Sequence, residues 1–130
     1  MHDWSSLMIV GIGTDILKIS RIKSAYSEYG DRFAKRILCS SELITFNDKQ
    51  RSISYLAKRF SAKESASKAL GTGIGSISWH DFEIQNNDSG APILILTGAA
   101  EEKMIQIGAS QTFLSLSDES DHVLSFVILS

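Results

Sequence analysis

The sequence predicts a single α+β domain in which a mainly antiparallel sheet packs against one long helix and several shorter ones. Three observations predict it. Apolar and β-branched runs at residues 81–85 and 93–96 flank the turn formers Asn86-Asn87-Asp88-Ser89-Gly90, and runs at 112–117 and 122–129 flank Asp118-Glu119-Ser120-Asp121. Strands joined by so few turn residues pair as hairpins, and hairpins are antiparallel. Between residues 51 and 70, Ile53, Leu56, Ala57 and Phe60 recur at helical spacing. Finally, Gly71, Gly73 and Gly75 come after that helix. A dinucleotide-binding glycine fingerprint follows a strand and opens a helix, so a parallel Rossmann sheet is excluded.

The remaining elements follow in order. Residues 7–14 form a strand, with Asp15 just past its apolar run; Ser20 caps a helix that Gly30 ends, and Asp31 caps a segment over 32–38. A short helix starts near Ser41, the long one covers 51–70, and another spans 99–107 and ends at Gly108. With 130 residues and no linker or repeat, the chain reads as one domain over 1–130, its first six residues an extension carrying Trp4.

Composition excludes several functions. No apolar run approaches a membrane span and no signal peptide opens the chain, so the expected location is the cytoplasm. The single cysteine, Cys39, has neither a disulfide partner nor a zinc-type ligand cluster and reads as a packing residue. His2, His80 and His122 read as surface or turn residues. Charge is uneven: residues 18–68 hold twelve of the thirteen Lys and Arg but five of the fifteen Asp and Glu. Such a surplus marks a surface that meets an anion. No nucleic-acid module accompanies it, so a phosphate-rich small molecule and an acidic protein fit better.

Glu64 is the most informative position. Its carboxylate falls inside the arc of Ile53, Leu56, Ala57 and Phe60, with Lys68 one turn further on. A charge on a packing face is costly unless it is paired or bound to metal. An i,i+4 pair with Lys68 is one reading. The other joins Glu64 to the second isolated carboxylate, Asp15, itself readable as a turn former or cap. Mg²⁺ is commonly held by one or two carboxylates plus phosphate oxygens and water.

Two motifs carry a resemblance. Leu56-Ala57-Lys58-Arg59-Phe60-Ser61-Ala62-Lys63-Glu64-Ser65-Ala66-Ser67-Lys68-Ala69-Leu70-Gly71-Thr72-Gly73 resembles the signature of the phosphopantetheinyl transferase superfamily. Ile9-Val10-Gly11-Ile12-Gly13-Thr14-Asp15-Ile16, followed by Arg21-Ile22, resembles the opening of its short bacterial branch, the holo-acyl-carrier-protein synthases. The likeness continues through Arg32-Phe33-Ala34-Lys35-Arg36-Ile37-Leu38, Glu42, and Asp88-Ser89-Gly90-Ala91-Pro92.

The resemblance implies the 4'-phosphopantetheinyl transferase fold and transfer of phosphopantetheine from coenzyme A to a serine of apo acyl carrier protein, in fatty acid biosynthesis. Asp15 and Glu64 would bind Mg²⁺, or Mn²⁺ in its place. Glu64, directly or by way of a water, would accept the serine proton, and Lys68 would serve a phosphate oxygen or the leaving group. Arg59 would bind nucleotide phosphates, with the amides of Gly71, Thr72 and Gly73 forming a small anion nest. Lys63 and Ser67 would flank the same surface less directly. Arg21, Arg32 and Arg36 would steer the carrier. Relatives of this kind are homotrimers with active sites at subunit interfaces, and the apolar hairpin ending in Leu129 is compatible with burial against copies of itself.

One position departs from the pattern. Phe113 stands where many members of the family have a histidine, and a phenyl ring neither moves a proton nor pairs with phosphate. That departure leaves the base open and motivates an alternative: a trimeric module that binds a phosphorylated ligand without turning it over.

Overall fold

The computed structural model describes residues 8–130. The proposed extension through Ser6, with Trp4, lies outside them. Among these residues, five strands and five helices follow the predicted order: β1 Gly11–Lys18, α1 Ile19–Tyr29, α2 Asp31–Ile37, α3 Ser40–Asp48, α4 Ile53–Leu70, β2 Phe82–Asn86, β3 Pro92–Leu96, α5 Gly98–Gln106, β4 Thr112–Asp118 and β5 His122–Leu129, with a 3₁₀ turn at Trp79–Asp81. All pairings are antiparallel, in a three-stranded sheet ordered β1-β5-β4 and a separate β2-β3 hairpin. The Thr112 hydroxyl donates to the Leu94 carbonyl at 2.7 Å and links the two sheets.

The long helix organises the core. Ala62, Ala66 and Leu70 in its second half pack with Phe82, Leu94, Leu96, Val127 and Leu129, whereas Leu56 and Ala57 in its first half pack with Leu17, Ile22, Ile37, Phe46 and Val123. One helix therefore joins a sheet-side core to a helix-side core, and small alanines on the sheet side let strands come close.

Several boundaries differ from the sequence reading, each for a local reason. Strand β1 does not stop at Thr14: β5 is long enough to pair Asp15 with Ser125, Ile16 with Leu124, Leu17 with Val123 and Lys18 with His122. Asp15 is consequently a mid-strand residue, and its turn-forming role is lost. Ser20 lies inside α1, whose cap position is Lys18 without a side-chain bond. Asp31 is the first residue of α2 rather than its cap, because Gly30 takes the cap position with φ 61°. The long helix begins at Ile53, not Arg51, where the Ser52 hydroxyl accepts from the Tyr55 amide at 3.2 Å.

The connection into α4 stores strain. Gln50 and Arg51 both have φ of 56°, and the left-handed region costs a residue with a Cβ roughly 1 kcal/mol or more. Gln50→Gly should relieve it, offset in part by glycine's greater freedom in the unfolded chain. We expect a net gain of about 0.5 kcal/mol, read as a higher thermal midpoint. A lower midpoint would mean that the Gln50 side chain makes a contact worth more than the strain.

Candidate active site

Strand β1 presents Gly11, Gly13, Asp15 and Leu17 to α4, and Ile12, Thr14, Ile16 and Lys18 to the other face. The two glycines let the strand lie on the helix backbone. A Cβ built on Gly11 would sit 2.2 Å from the Ala69 carbonyl oxygen, and one on Gly13 would sit 2.0 Å from that of Ser65. Asp15, the next residue on this face, is thereby set against the helix at Glu64 and Lys68.

Burial along α4 corrects the premise about Glu64. From Ser61 to Leu70 every residue is buried except Glu64 and Lys68, so these two form the one open row in the second half of the helix rather than an intrusion into its core stripe. The Lys68 ammonium donates to the Thr14 carbonyl at 3.0 Å and lies 3.6 Å from Asp15 Oδ1. The Asp15 side chain is 16% exposed, and its Oδ2 is buried with no hydrogen-bond partner. A buried carboxylate oxygen without a partner is costly, and it is what a cation would satisfy.

Electrostatics agree. Burial, and then the neighbouring Asp15 charge, hold the Glu64 carboxyl above its ordinary value of 4.5, with Lys68 pulling it back. Because the folded value is raised, the stability this group contributes is complete below 4.5 and is lost as pH rises through the raised value. In EDTA at neutral pH, Glu64→Gln should therefore melt at a higher temperature than the wild type, and Mg²⁺ should raise the wild-type midpoint more than the variant's. Equal melting in EDTA would contradict the strained carboxylate pair. Among the described residues no group of three His, Cys, Asp or Glu could hold a metal, so a divalent ion here would take Asp15 and Glu64 plus oxygens from a substrate.

The other candidates are placed as follows. Lys63 does not flank this surface: turned about 100° around the helix from Glu64, it is wholly buried, its ammonium 2.6 Å from Glu42 Oε1 and 2.7 Å from the Ile37 carbonyl. Ser67 is buried and donates to the Glu64 carbonyl at 2.7 Å. The amides of Gly71, Thr72 and Gly73 are not a free nest, since they donate to the carbonyls of Lys68, Ser67 and Ser67 and so close the helix. Any contact of this loop with a ligand relies on its shape, with Gly71 and Gly73 at φ 79° and 64°. Arg21, Arg32 and Arg36 are exposed on α1 and α2.

Arg59 lies elsewhere. Its guanidinium sits 4.5 Å from the Tyr55 ring centroid and donates to Asn86 Oδ1 at 2.8 Å, while its buried Nε has no partner. It opens on a cleft with Lys49, Lys58, Asn86 and Gly90. Five positions before Glu64, it is turned about 140° around the helix from the carboxylate pair. Lys49 and Asn86 were not singled out by sequence; nothing in a turn-forming Asn pair marks one of them as an arginine ligand.

Phe113 is 51% exposed and stands in one row with Ile12 and Ile128 on the outer face of the three-stranded sheet. Ile12 (59%), Ile16 (67%) and Leu124 (44%) share that face. Sequence reasoning also missed a buried network of Ser61, Ser65 and Ser125, in which Ser125 Oγ donates to the Ser61 carbonyl at 2.8 Å and meets both other hydroxyls. Ser125 is the cross-strand partner of Asp15, so the network ties the carboxylate's neighbour to α4. Cys39 is the packing residue expected, its thiol facing the Phe82 carbonyl at 3.2 Å and pushed up to about 11 by burial.

Comparison with known proteins bears on this arrangement. The model of the 4'-phosphopantetheinyl transferase superfamily matches residues 11–127. A holo-(acyl-carrier-protein) synthase of Vibrio cholerae is 48% identical over 123 residues, spanning 94% of this chain and 98% of that protein. Among solved structures, the holo-(acyl-carrier-protein) synthase of Neisseria meningitidis superposes with a TM-score of 0.88 at 42% identity, over 95% of this chain and 99% of that one. The Helicobacter pylori synthase, solved in complex with coenzyme A, superposes with a TM-score of 0.80 at 32% identity, over 92% of this chain and 99% of that one.

Proposed function

The chain belongs to the 4'-phosphopantetheinyl transferase superfamily, and from that premise we propose that it is a holo-acyl-carrier-protein synthase acting in the cytoplasm for fatty acid biosynthesis. It moves 4'-phosphopantetheine from coenzyme A to a serine of apo acyl carrier protein. The observation that carries the chemistry is the unpartnered, buried Asp15 Oδ2 beside the raised Glu64 carboxyl and the Lys68 ammonium.

The serine oxygen attacks the phosphorus that bears pantetheine, the bond from that phosphorus to the bridging oxygen breaks, and 3',5'-ADP departs with the electron pair. Glu64, directly or by way of a water, takes the serine proton. Lys68, fixed by the Thr14 carbonyl, offsets charge on the leaving phosphate. Asp15 and Glu64 would hold Mg²⁺ or Mn²⁺, which supplies charge neutralisation to the pyrophosphate. No step is assigned to Phe113.

Two features support an active site shared between copies in a homotrimer. Arg59 and its basic cleft face away from Asp15 and Glu64, so a coenzyme that used both would reach the Arg59 of a neighbouring copy. The exposed apolar side chains of Ile12, Ile16, Phe113 and Leu124 on the outer sheet face give copies a surface to bury. Phe113 there is an interface residue where a histidine would have been a polar one. Arg21, Arg32 and Arg36 form the carrier-docking surface, whose attraction for an acidic carrier weakens with salt.

The test follows 3',5'-ADP release from coenzyme A by chromatography. Release that requires both Mg²⁺ and an apo carrier with its serine intact supports the transferase. Binding of coenzyme A without release in the presence of several apo carriers would instead make the chain a phospholigand-binding module.

A further inference from the structure

The buried lysine next to Glu64 has no part in the chemistry above. Lys63 is 0% exposed and Glu42 is 2% exposed, and every strong polar atom of the pair is engaged. The ammonium donates to the carbonyl of Ile37, the last residue of α2, at 2.7 Å and to Glu42 Oε1 at 2.6 Å, with Cys39 Sγ at 3.7 Å. Glu42 Oε1 also accepts from the Cys39 amide at the start of α3, and Oε2 accepts from the Ile84 amide of β2, both at 2.8 Å. Two charges thus tie four elements: the end of α2, the start of α3, the edge of β2, and α4 at the residue preceding Glu64.

Each end of the pair is matched to its backbone. A cation at the last carbonyl of α2 and a carboxylate in the first turn of α3 both oppose the local helix dipole. The neighbouring carbonyl of Lys35 in α2 faces the His80 imidazole at 2.7 Å. Stability alone does not account for such a construction, because a buried ion pair can often be exchanged for apolar residues of similar volume without loss. What an apolar pair cannot supply is direction. The ammonium and carboxylate fix the angle and register of α2 against α4, whereas the contacts beside them, Ala34 and Ile37 with the Phe33 and Phe60 rings, are non-directional.

We infer that Lys63 and Glu42 are positioning residues that set the carrier-docking arginines of α2, Arg32 and Arg36, at a fixed distance and angle from Glu64, so that a docked carrier's serine meets the open row of α4. The inference rests on the transferase reading above. It assigns the pair to carrier placement and leaves coenzyme binding to other residues.

The test uses the full chain with both charges removed together, Lys63→Met with Glu42→Leu, so that no buried charge is left unpaired. Thermal melting and coenzyme A affinity are measured first, then steady-state kinetics with coenzyme A and apo carrier varied separately. The expected result is a cooperative melt, coenzyme A affinity within about twofold of wild type, and kcat/KM for the carrier reduced tenfold or more. An additional Arg32→Ala change should then cost less than it does in the wild-type background, because the arginine is already misplaced. Unchanged carrier kinetics, or equal losses toward both substrates, would overturn the inference while leaving the transferase reading intact. Absence of transfer by the wild type would remove both. If the double variant does not fold, Lys63→Met with Glu42→Gln replaces it, which also leaves no buried charge and keeps an amide oxygen for the Cys39 or Ile84 amide, with the same split between substrates required.

Discussion

Glu64→Ala is expected to lower the rate of phosphopantetheine transfer about 1,000-fold, the range for loss of a positioned base combined with loss of a charge-stabilising ligand. Asp15→Ala should fall nearly as far, and the double variant little further than either, because groups that act as one unit lose their effect together. Glu64 lies on the open row of α4 and makes no side-chain bond to the core, so its removal leaves packing intact. Melting should confirm this: both single variants are expected to fold cooperatively, and Mg²⁺ should no longer raise their midpoints. A Glu64→Ala chain with wild-type turnover would move the base elsewhere and leave Glu64 as no more than the i,i+4 partner of Lys68.

Gly13→Ala carries the second large effect, and it acts through the backbone. The added methyl would lie 2.0 Å from the Ser65 carbonyl oxygen and 2.8 Å from the Ala69 nitrogen, both backbone atoms of a buried helix. Strand and helix must separate by about 1 Å or more, which opens the Ser61-Ser65-Ser125 network and carries Asp15 away from Lys68. Forcing a methyl into a packed interior costs about 1–3 kcal/mol and more where backbone must move; we expect roughly 3 kcal/mol here, or a fall in Tm on the order of 10 °C. Gly108→Ala is the control. Its Cβ would meet nothing within 4 Å and only its φ of 84° is adverse, so about 1 kcal/mol is lost. Should Gly13→Ala cost no more than Gly108→Ala, the close approach of β1 to α4 would be wrong. Transfer activity separates the two further, since only Gly13→Ala displaces Asp15.

Much of this site could be read before the fold was known, and the failures share a cause. The hairpins, the long helix, its glycine stop and the one-turn spacing of Glu64 and Lys68 are local, and sequence records them directly; Asp15 joins them only through the family resemblance. The direction of Lys63 is not local. A helix buried on nearly every side has no strong polar face by which to rank its residues, so the lysine beside Glu64 looked like a neighbour in function when it belongs to Glu42. Asp15 resembles a strand terminator in sequence, but eight consecutive pairings with β5 overrule that local preference. The Gly71-Thr72-Gly73 amides looked free because glycines allow a nest, yet the unfinished carbonyls of α4 claim them first. Gly11 and Gly13 are visible as a motif, but the helix residues they accommodate, Ser65 and Ala69, lie more than fifty residues away in the chain.

The central claim is tested most directly by intact-mass spectrometry of an apo acyl carrier protein incubated with the chain, coenzyme A and Mg²⁺, beside Glu64→Ala and an EDTA control. The account predicts a gain equal to one phosphopantetheine on the carrier, abolished in EDTA and reduced about 1,000-fold in rate by the variant. An unchanged carrier mass with folded wild-type protein, across several carriers and with Mn²⁺ as well as Mg²⁺, would contradict it.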